Sequence, residues 1–116
     1  MVIVLGQNQA MRLWQDSLVG SVRGDGPDLS ARQMAILLTV YIEAGPHTVR
    51  GLAAGLNISK PAVTRALDRL GELEFALRVK DAKDRRNVLI QRTVKGSVFL
   101  SEFADLISAA AGALEG

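Results

Sequence analysis

Apolar residues in this 116-residue chain recur mostly at helical spacing, and twice the period shortens to alternation. Ala10, Leu13, Trp14, Ser17 and Leu18 share one helical face, with Arg12 and Asp16 opposite, which predicts a helix from Asn8 to Val22. Trp14 is expected to be a core or subunit-contact residue. Residues 2–5 (VIVL) are too few to separate a strand from an apolar arm or a helix lead-in. Gly24-Asp25-Gly26-Pro27-Asp28 reads as a loop. Ser30 and Gln33 then form a capping box, opening a helix that runs to about Ala44. Its stripe is Met34, Leu37, Leu38 and Tyr41, widened by Ala35 and Ile42, and a helix this apolar predicts the buried centre of the fold. Gly45-Pro46 stops it. His47 falls in a short extended link, where a solvated loop role is expected rather than that of a switch or ligand.

The next stretch, TVRGLAAGLNISKPAVTRALDRL, reads as two short helices around a tight turn. Thr48 can cap the first. Val49, Leu52, Ala53 and Leu56 give that helix one apolar face. Asn57 sits where a left-handed residue is needed, and Asn tolerates that backbone better than most residues. Ile58 plugs the corner, Ser59 is a strong N-cap, and Pro61 lies in the first turn where its missing N–H is harmless. The second helix buries Val63, Ala66, Leu67 and Leu70 and shows Lys60, Thr64, Arg65, Asp68 and Arg69 on its other side. Small Ala53 and Ala62 permit close approach of the two helices.

Gly71–Glu74 ends the second helix. Phe75–Val79 and Asn87–Gln91 alternate like strands, and Lys80-Asp81-Ala82-Lys83-Asp84-Arg85-Arg86 between them is a basic hairpin tip. Thr93 caps a last helix running from Lys95 to about Leu114, with Val94, Val98, Phe99, Phe103, Leu106, Ile107 and Ala110 as its apolar face. The predicted fold is mainly α with a small β-hairpin wing, a winged helix-turn-helix. The expected organisation is a single domain over 1–116: an N-terminal helix and loop (1–28), a winged helix core (29–96) and a C-terminal helix (97–116).

Charge sharpens this picture. The chain is only +2 overall, but Lys60–Lys95 holds ten bases and five acids, while the rest holds four bases and seven acids. A segregation of that kind suits one polyanion-facing half and one packing half. No cysteine is present, which removes disulfide and thiolate chemistry, and a single histidine argues against a His-rich metal site. No Ser/His/acid set, phosphate-binding glycine loop or metal-ligand cluster is visible, so neither an enzyme nor a bound cofactor or metal is expected. Asp81 and Asp84, exposed among arginines, make a poor acid–base pair. The opening MVIVL lacks a basic leader, and no apolar run reaches the ~20 residues of a membrane span. A cytoplasmic protein without membrane contact is expected.

The run LAAGLNISKPAVTRALDRL followed by LRVKDAKDRRNVLIQRTVKG resembles the DNA-binding core of MarR-type transcriptional regulators. The resemblance rests on Leu52-Ala53, Ile58-Ser59, Thr64-Arg65, Arg69-Leu70, Asp81, Asp84-Arg85-Arg86, Thr93 and Gly96, and covers about Leu29 to Gly96. It implies a wing arginine, Arg86, that enters the minor groove and a supporting aspartate, Asp84. A narrow A·T-rich groove concentrates negative potential and attracts a guanidinium. Ser59, Lys60, Pro61, Thr64 and Arg65 would then face the major groove, with Arg65 able to take a guanine edge. Arg69, Lys80, Lys83 and Arg85 would meet phosphates.

Two departures from the family pattern carry expectations of their own. Glu74 stands where the family has a glycine, and a left-handed non-glycine residue costs about 1–2 kcal/mol. The turn is therefore expected to use Gly71 with another geometry, which would re-aim the wing. The family also dimerises through long terminal helices, whereas a single closing helix follows the wing here. The expected partners are double-stranded DNA and a second copy of the chain through the N- and C-terminal helices; a small-molecule effector is not expected. The alternative reading is a winged-helix module that binds another regulator or polymerase rather than DNA.

Overall fold

The computed structural model describes residues 2–115. In chain order it holds α1 (Gln7–Arg23), α2 (Ala31–Ile42), β1 (His47–Thr48), α3 (Val49–Leu56), α4 (Lys60–Glu72), β2 (Ala76–Lys80), β3 (Val88–Arg92) and α5 (Val94–Gly112). The contacts sort into two compact units, Leu29–Val98 and the segments on either side of it.

The Leu29–Val98 unit is a winged helix. Its three strands form an antiparallel sheet in the order β1-β3-β2. The hairpin register places Arg78 opposite Ile90 and Lys80 opposite Val88. The third strand, β1, runs through the segment expected to be a mere link: His47 pairs with Ile90 and Thr48 with Leu89. His47 is half-buried there, and its Nε2 donates to the Glu43 carbonyl at 3.0 Å, so it is an anchored strand residue rather than a solvated loop residue.

The core of this unit is Ile36, Leu37, Val40, Leu52, Val63, Leu67, Leu70, Phe75 and Ile90. Burying side chains of this size contributes about 1.5–3 kcal/mol each before entropy is counted. The α2 stripe is rotated from the expected one: Ile36 and Val40 lie fully inside, whereas Leu38 and Ile42 are exposed. In a helix apolar nearly all round, spacing alone fits more than one phase. The helix does stand at the centre of the unit, and its cap is the expected box. Ser30 Oγ accepts from the Gln33 N–H at 3.2 Å, and Gln33 Oε1 accepts from the Ser30 N–H at 2.9 Å.

Helices α3 and α4 end alike. After α3, the Ile58 N–H donates to the Ala53 carbonyl and the Asn57 N–H to the Ala54 carbonyl, with Asn57 left-handed at φ 54°. After α4, the Phe75 N–H donates to the Leu70 carbonyl and the Glu74 N–H to the Gly71 carbonyl, with Glu74 left-handed at φ 61°. Both are paired six-to-one and five-to-two closures that satisfy the last carbonyls of the helix. Glu74 is therefore the left-handed residue that closes α4, and Gly71 stays within the helix, contrary to the alternative geometry expected from the sequence.

What holds Glu74 is a knot of three residues around the Tyr41 hydroxyl. That hydroxyl accepts from the Thr93 N–H at 2.8 Å and faces the carbonyls of Phe75 and Thr93 at 2.8 and 3.0 Å. Thr93 Oγ1 donates to the Glu74 carbonyl at 2.7 Å and accepts the Gly96 N–H at 2.9 Å. A Cβ on Gly96 would collide with the Tyr41 hydroxyl and the Phe75 carbonyl. The Thr-x-x-Gly spacing thus has a physical cause: the threonine caps α5 and pins the left-handed turn, and the glycine makes room for tyrosine.

The other unit holds α1 and the later part of α5. The Gln9 side chain accepts from the Gly6 N–H and donates to the Glu115 carbonyl, both at 2.9 Å. Ser17 is buried, its hydroxyl returned to the Leu13 carbonyl at 2.7 Å. Gly20 lies against Leu106, where a Cβ would come within 3.0 Å of a methyl group. Residues 2–5 have no regular structure; Val2, Ile3 and Val4 are largely exposed, which leaves the arm or lead-in reading and removes the strand. Trp14 is 61% exposed and is not a core residue. On α5, Val94, Val98 and Ile107 are likewise exposed, so the predicted apolar face is only partly buried.

Candidate nucleic-acid interface

The α4 docking face begins at its cap. Ser59 Oγ accepts the Ala62 N–H at 3.1 Å, and Pro61 occupies the first turn. Ala62, Val63, Ala66, Leu67 and Leu70 are buried beneath the helix, which fixes its roll. Lys60, Pro61, Thr64 and Arg65 are thereby left exposed on consecutive turns. Arg69, one turn further, is half-buried and reaches Glu72 at 3.5 Å.

The wing tip is built differently. Between β2 and β3 the chain turns through Asp81–Asn87 with no buried residue. Two carboxylates organise it: Asp81 Oδ1 accepts the Lys83 N–H at 2.9 Å, and Asp84 Oδ1 accepts the Arg86 N–H at 3.1 Å. These are turns in which an aspartate substitutes for a backbone acceptor two residues on. The Asp81 N–H donates to the Asn87 carbonyl, and the Asn87 N–H to the Asp84 carbonyl, closing the loop. Lys80, Lys83, Arg85 and Arg86 are exposed around it.

Asp84 also grips the Arg86 side chain. Arg86 Nε donates to Oδ1 at 3.1 Å and its NH2 group to Oδ2 at 3.2 Å, a forked pair. The Arg86 side chain nevertheless remains 85% exposed. The Arg86 side chain first, and its backbone N–H second, hold the Asp84 carboxyl below the usual aspartate value, with Arg50 on α3 adding to the effect.

Helix and wing are tied together by a pair that the sequence did not announce. Arg78 on β2 donates to Asp68 on α4 at 2.6 Å. In the sequence Asp68 belongs to the polar side of the second helix, and Arg78 to the ten bases of Lys60–Lys95. Arg92 too leaves that excess. Its Nε donates to the Val40 carbonyl at 2.7 Å and its NH2 group to the Glu43 carbonyl at 3.2 Å, closing the end of α2, with the guanidinium 5.8 Å from the Tyr41 ring centre. Lys60, Arg65, Lys80, Lys83 and Arg85 make no ion pair among the described residues.

A model of the MarR family matches residues 29–88, from the start of α2 through the wing tip. The chain belongs to the MarR family. MarR proteins are DNA-binding transcription regulators rather than enzymes. The MarR fold is seen in solved structures as well. Transcriptional regulator Tm0710 from Thermotoga maritima matches with a TM-score of 0.71 at 21% identity, over 89% of this chain and 70% of that one. MarR itself matches with a TM-score of 0.65 at 23% identity, over 89% and 71%. Reduced AbfR, solved bound to DNA, matches with a TM-score of 0.67 at 21% identity, over 93% and 72%. No curated protein matches the sequence. Among the described residues no helix is long and apolar enough to cross a membrane.

Proposed function

We propose that this MarR-family regulator reads double-stranded DNA sequence-specifically, with α4 in the major groove and Arg86 in an adjacent minor groove. The observation that carries the reading is the forked Asp84–Arg86 pair at an otherwise exposed basic tip. A guanidinium held by a neighbouring carboxylate loses less conformational freedom on entering a groove, and it discriminates groove width rather than base identity. Arg65 takes a base edge, while Ser59, Lys60, Pro61 and Thr64 line the same groove. Lys80, Lys83 and Arg85 meet phosphates, and Arg69 joins them from its place beside Glu72. The AbfR complex supports the docking of this fold on DNA.

The proposed organisation is a winged helix core over 29–96 with flanking helical segments, 1–28 and 97–116, that pair two copies in the cytoplasm. In support, Met11, Trp14, Leu18 and Val22 recur along one side of α1 and are all exposed. A two-fold dimer would recognise half-sites about one helical turn, ~34 Å, apart.

Mobility shifts on duplexes selected from a random pool test the reading. Arg65→Ala is expected to weaken binding by about 1–3 kcal/mol and to relax base preference, whereas Lys83→Ala weakens all sequences alike. Absence of duplex binding, or binding indifferent to salt, would refute it.

A further inference from the structure

The first turn of α3 carries a cation that the interface so far leaves aside. Arg50 is exposed and makes no ion pair among the described residues. The sheet register fixes its position. Thr48 lies opposite Leu89 in the antiparallel β1–β3 ladder, so the chain leaving β1 heads toward Val88 and Asn87. Asn87 is the residue that closes the wing tip, through its bonds to Asp81 and Asp84. Arg50, two residues beyond Thr48, therefore stands beside the neck of the wing tip, near enough for its charge to act on the Asp84 carboxyl. The turn beneath it is fastened: Thr48 Oγ1 accepts the Gly51 N–H at 2.9 Å, and Leu52 is buried.

We propose that Arg50 is a further DNA-contacting residue, neutralising a backbone phosphate beside the groove that the wing enters. This rests on the DNA reading above. A duplex whose major groove holds α4 and whose next minor groove holds the wing carries a phosphate strand between the two. A cation beside the neck of the wing tip meets that strand. The forked Asp84–Arg86 pair has no net charge, so the tip attracts a polyanion through the bases around the pair, and Arg50 supplies one of them from a third element.

The test uses fluorescence anisotropy of the full chain on a mixed-sequence duplex across a salt series, for the wild type and for Arg50→Gln, Arg50→Lys and Lys83→Ala. Arg50→Gln is expected to weaken binding about tenfold at low salt and to lower the slope of log affinity against log salt by about 1. Arg50→Lys restores the slope, because the contact requires charge rather than a fork. A residue that merely steadied the wing would leave the slope unmoved. An unchanged slope for Arg50→Gln beside a reduced one for Lys83→Ala overturns this inference and leaves the DNA reading standing. Unchanged slopes for both, or a wild type that does not bind, overturn both. Far-UV circular dichroism on each variant separates lost contact from lost fold, and if Arg50→Gln unfolds, a slope for Arg50→Lys below the wild-type value overturns the proposal.

Discussion

Helix α4 and the wing tip present the same kind of side chain on opposite kinds of support. The helix stands on five buried residues, and its exposed face is a by-product of that packing. The tip has no buried residue between Asp81 and Asn87 and is shaped by two aspartates bonding to backbone two residues on. Packing fixes orientation through many small contacts, so the helix face is determined by residues that never touch a ligand. The tip is determined by a few polar contacts, each of which is itself part of the basic surface. Mutations should therefore separate fold from binding on α4 and leave the fold nearly untouched on the wing.

The largest effect should come from beneath the helix. Leu67→Ala is expected to destabilise the fold by about 2–5 kcal/mol, seen in urea unfolding, and to reduce binding only through unfolding. Gly96→Ala comes next. Its methyl group would drive the Tyr41 hydroxyl away from Phe75 and Thr93, at about 1–3 kcal/mol of stability, with the left-handed turn before the wing disturbed. Glu74→Gly should act in the other direction. It removes a strained left-handed residue and raises stability by up to about 1 kcal/mol, the flexibility of glycine in the unfolded chain offsetting part of the gain.

The smallest effect on the fold belongs to Asp84. Its carboxyl is held below the unfolded value, so what the pair contributes is present above that value and fades as pH falls through the lower folded one. Asp84→Asn is expected to leave the melting temperature at neutral pH unchanged while blunting the preference for A·T-rich duplexes. A large drop in melting temperature for Asp84→Asn would mean that the tip is a structural element after all, and the contrast with α4 would collapse.

Local chemistry was readable along the chain, and remote chemistry was not. Ser30, Thr48, Ser59 and Thr93 cap helices as their spacing predicts, because a cap is made within three residues. Both hairpin strands were legible to within one residue, at Ala76–Lys80 and Val88–Arg92, although their burial does not alternate cleanly. The phase of α2 was not, since Leu38 and Ile42 are as apolar as Ile36 and Val40, and only the partners of the helix decide which pair is buried. Strand β1 leaves no mark in the sequence, because two residues carry no period and their partners are more than forty positions away. Arg78 and Arg92 looked like members of a basic surface until Asp68 and the end of α2 claimed them. Arg50 carries no local signal, because only the sheet brings its charge within reach of Asp84.

The central claim is that α4 and the Asp84–Arg86 tip enter neighbouring grooves of one duplex. Hydroxyl-radical footprinting of the wild type and Arg86→Ala on a selected duplex tests it most directly. The account predicts that the wild type protects a minor-groove segment flanking the α4 site, and that Arg86→Ala loses this flanking protection while keeping the central one. A footprint identical in the two proteins, or one confined to the centre in both, would contradict it.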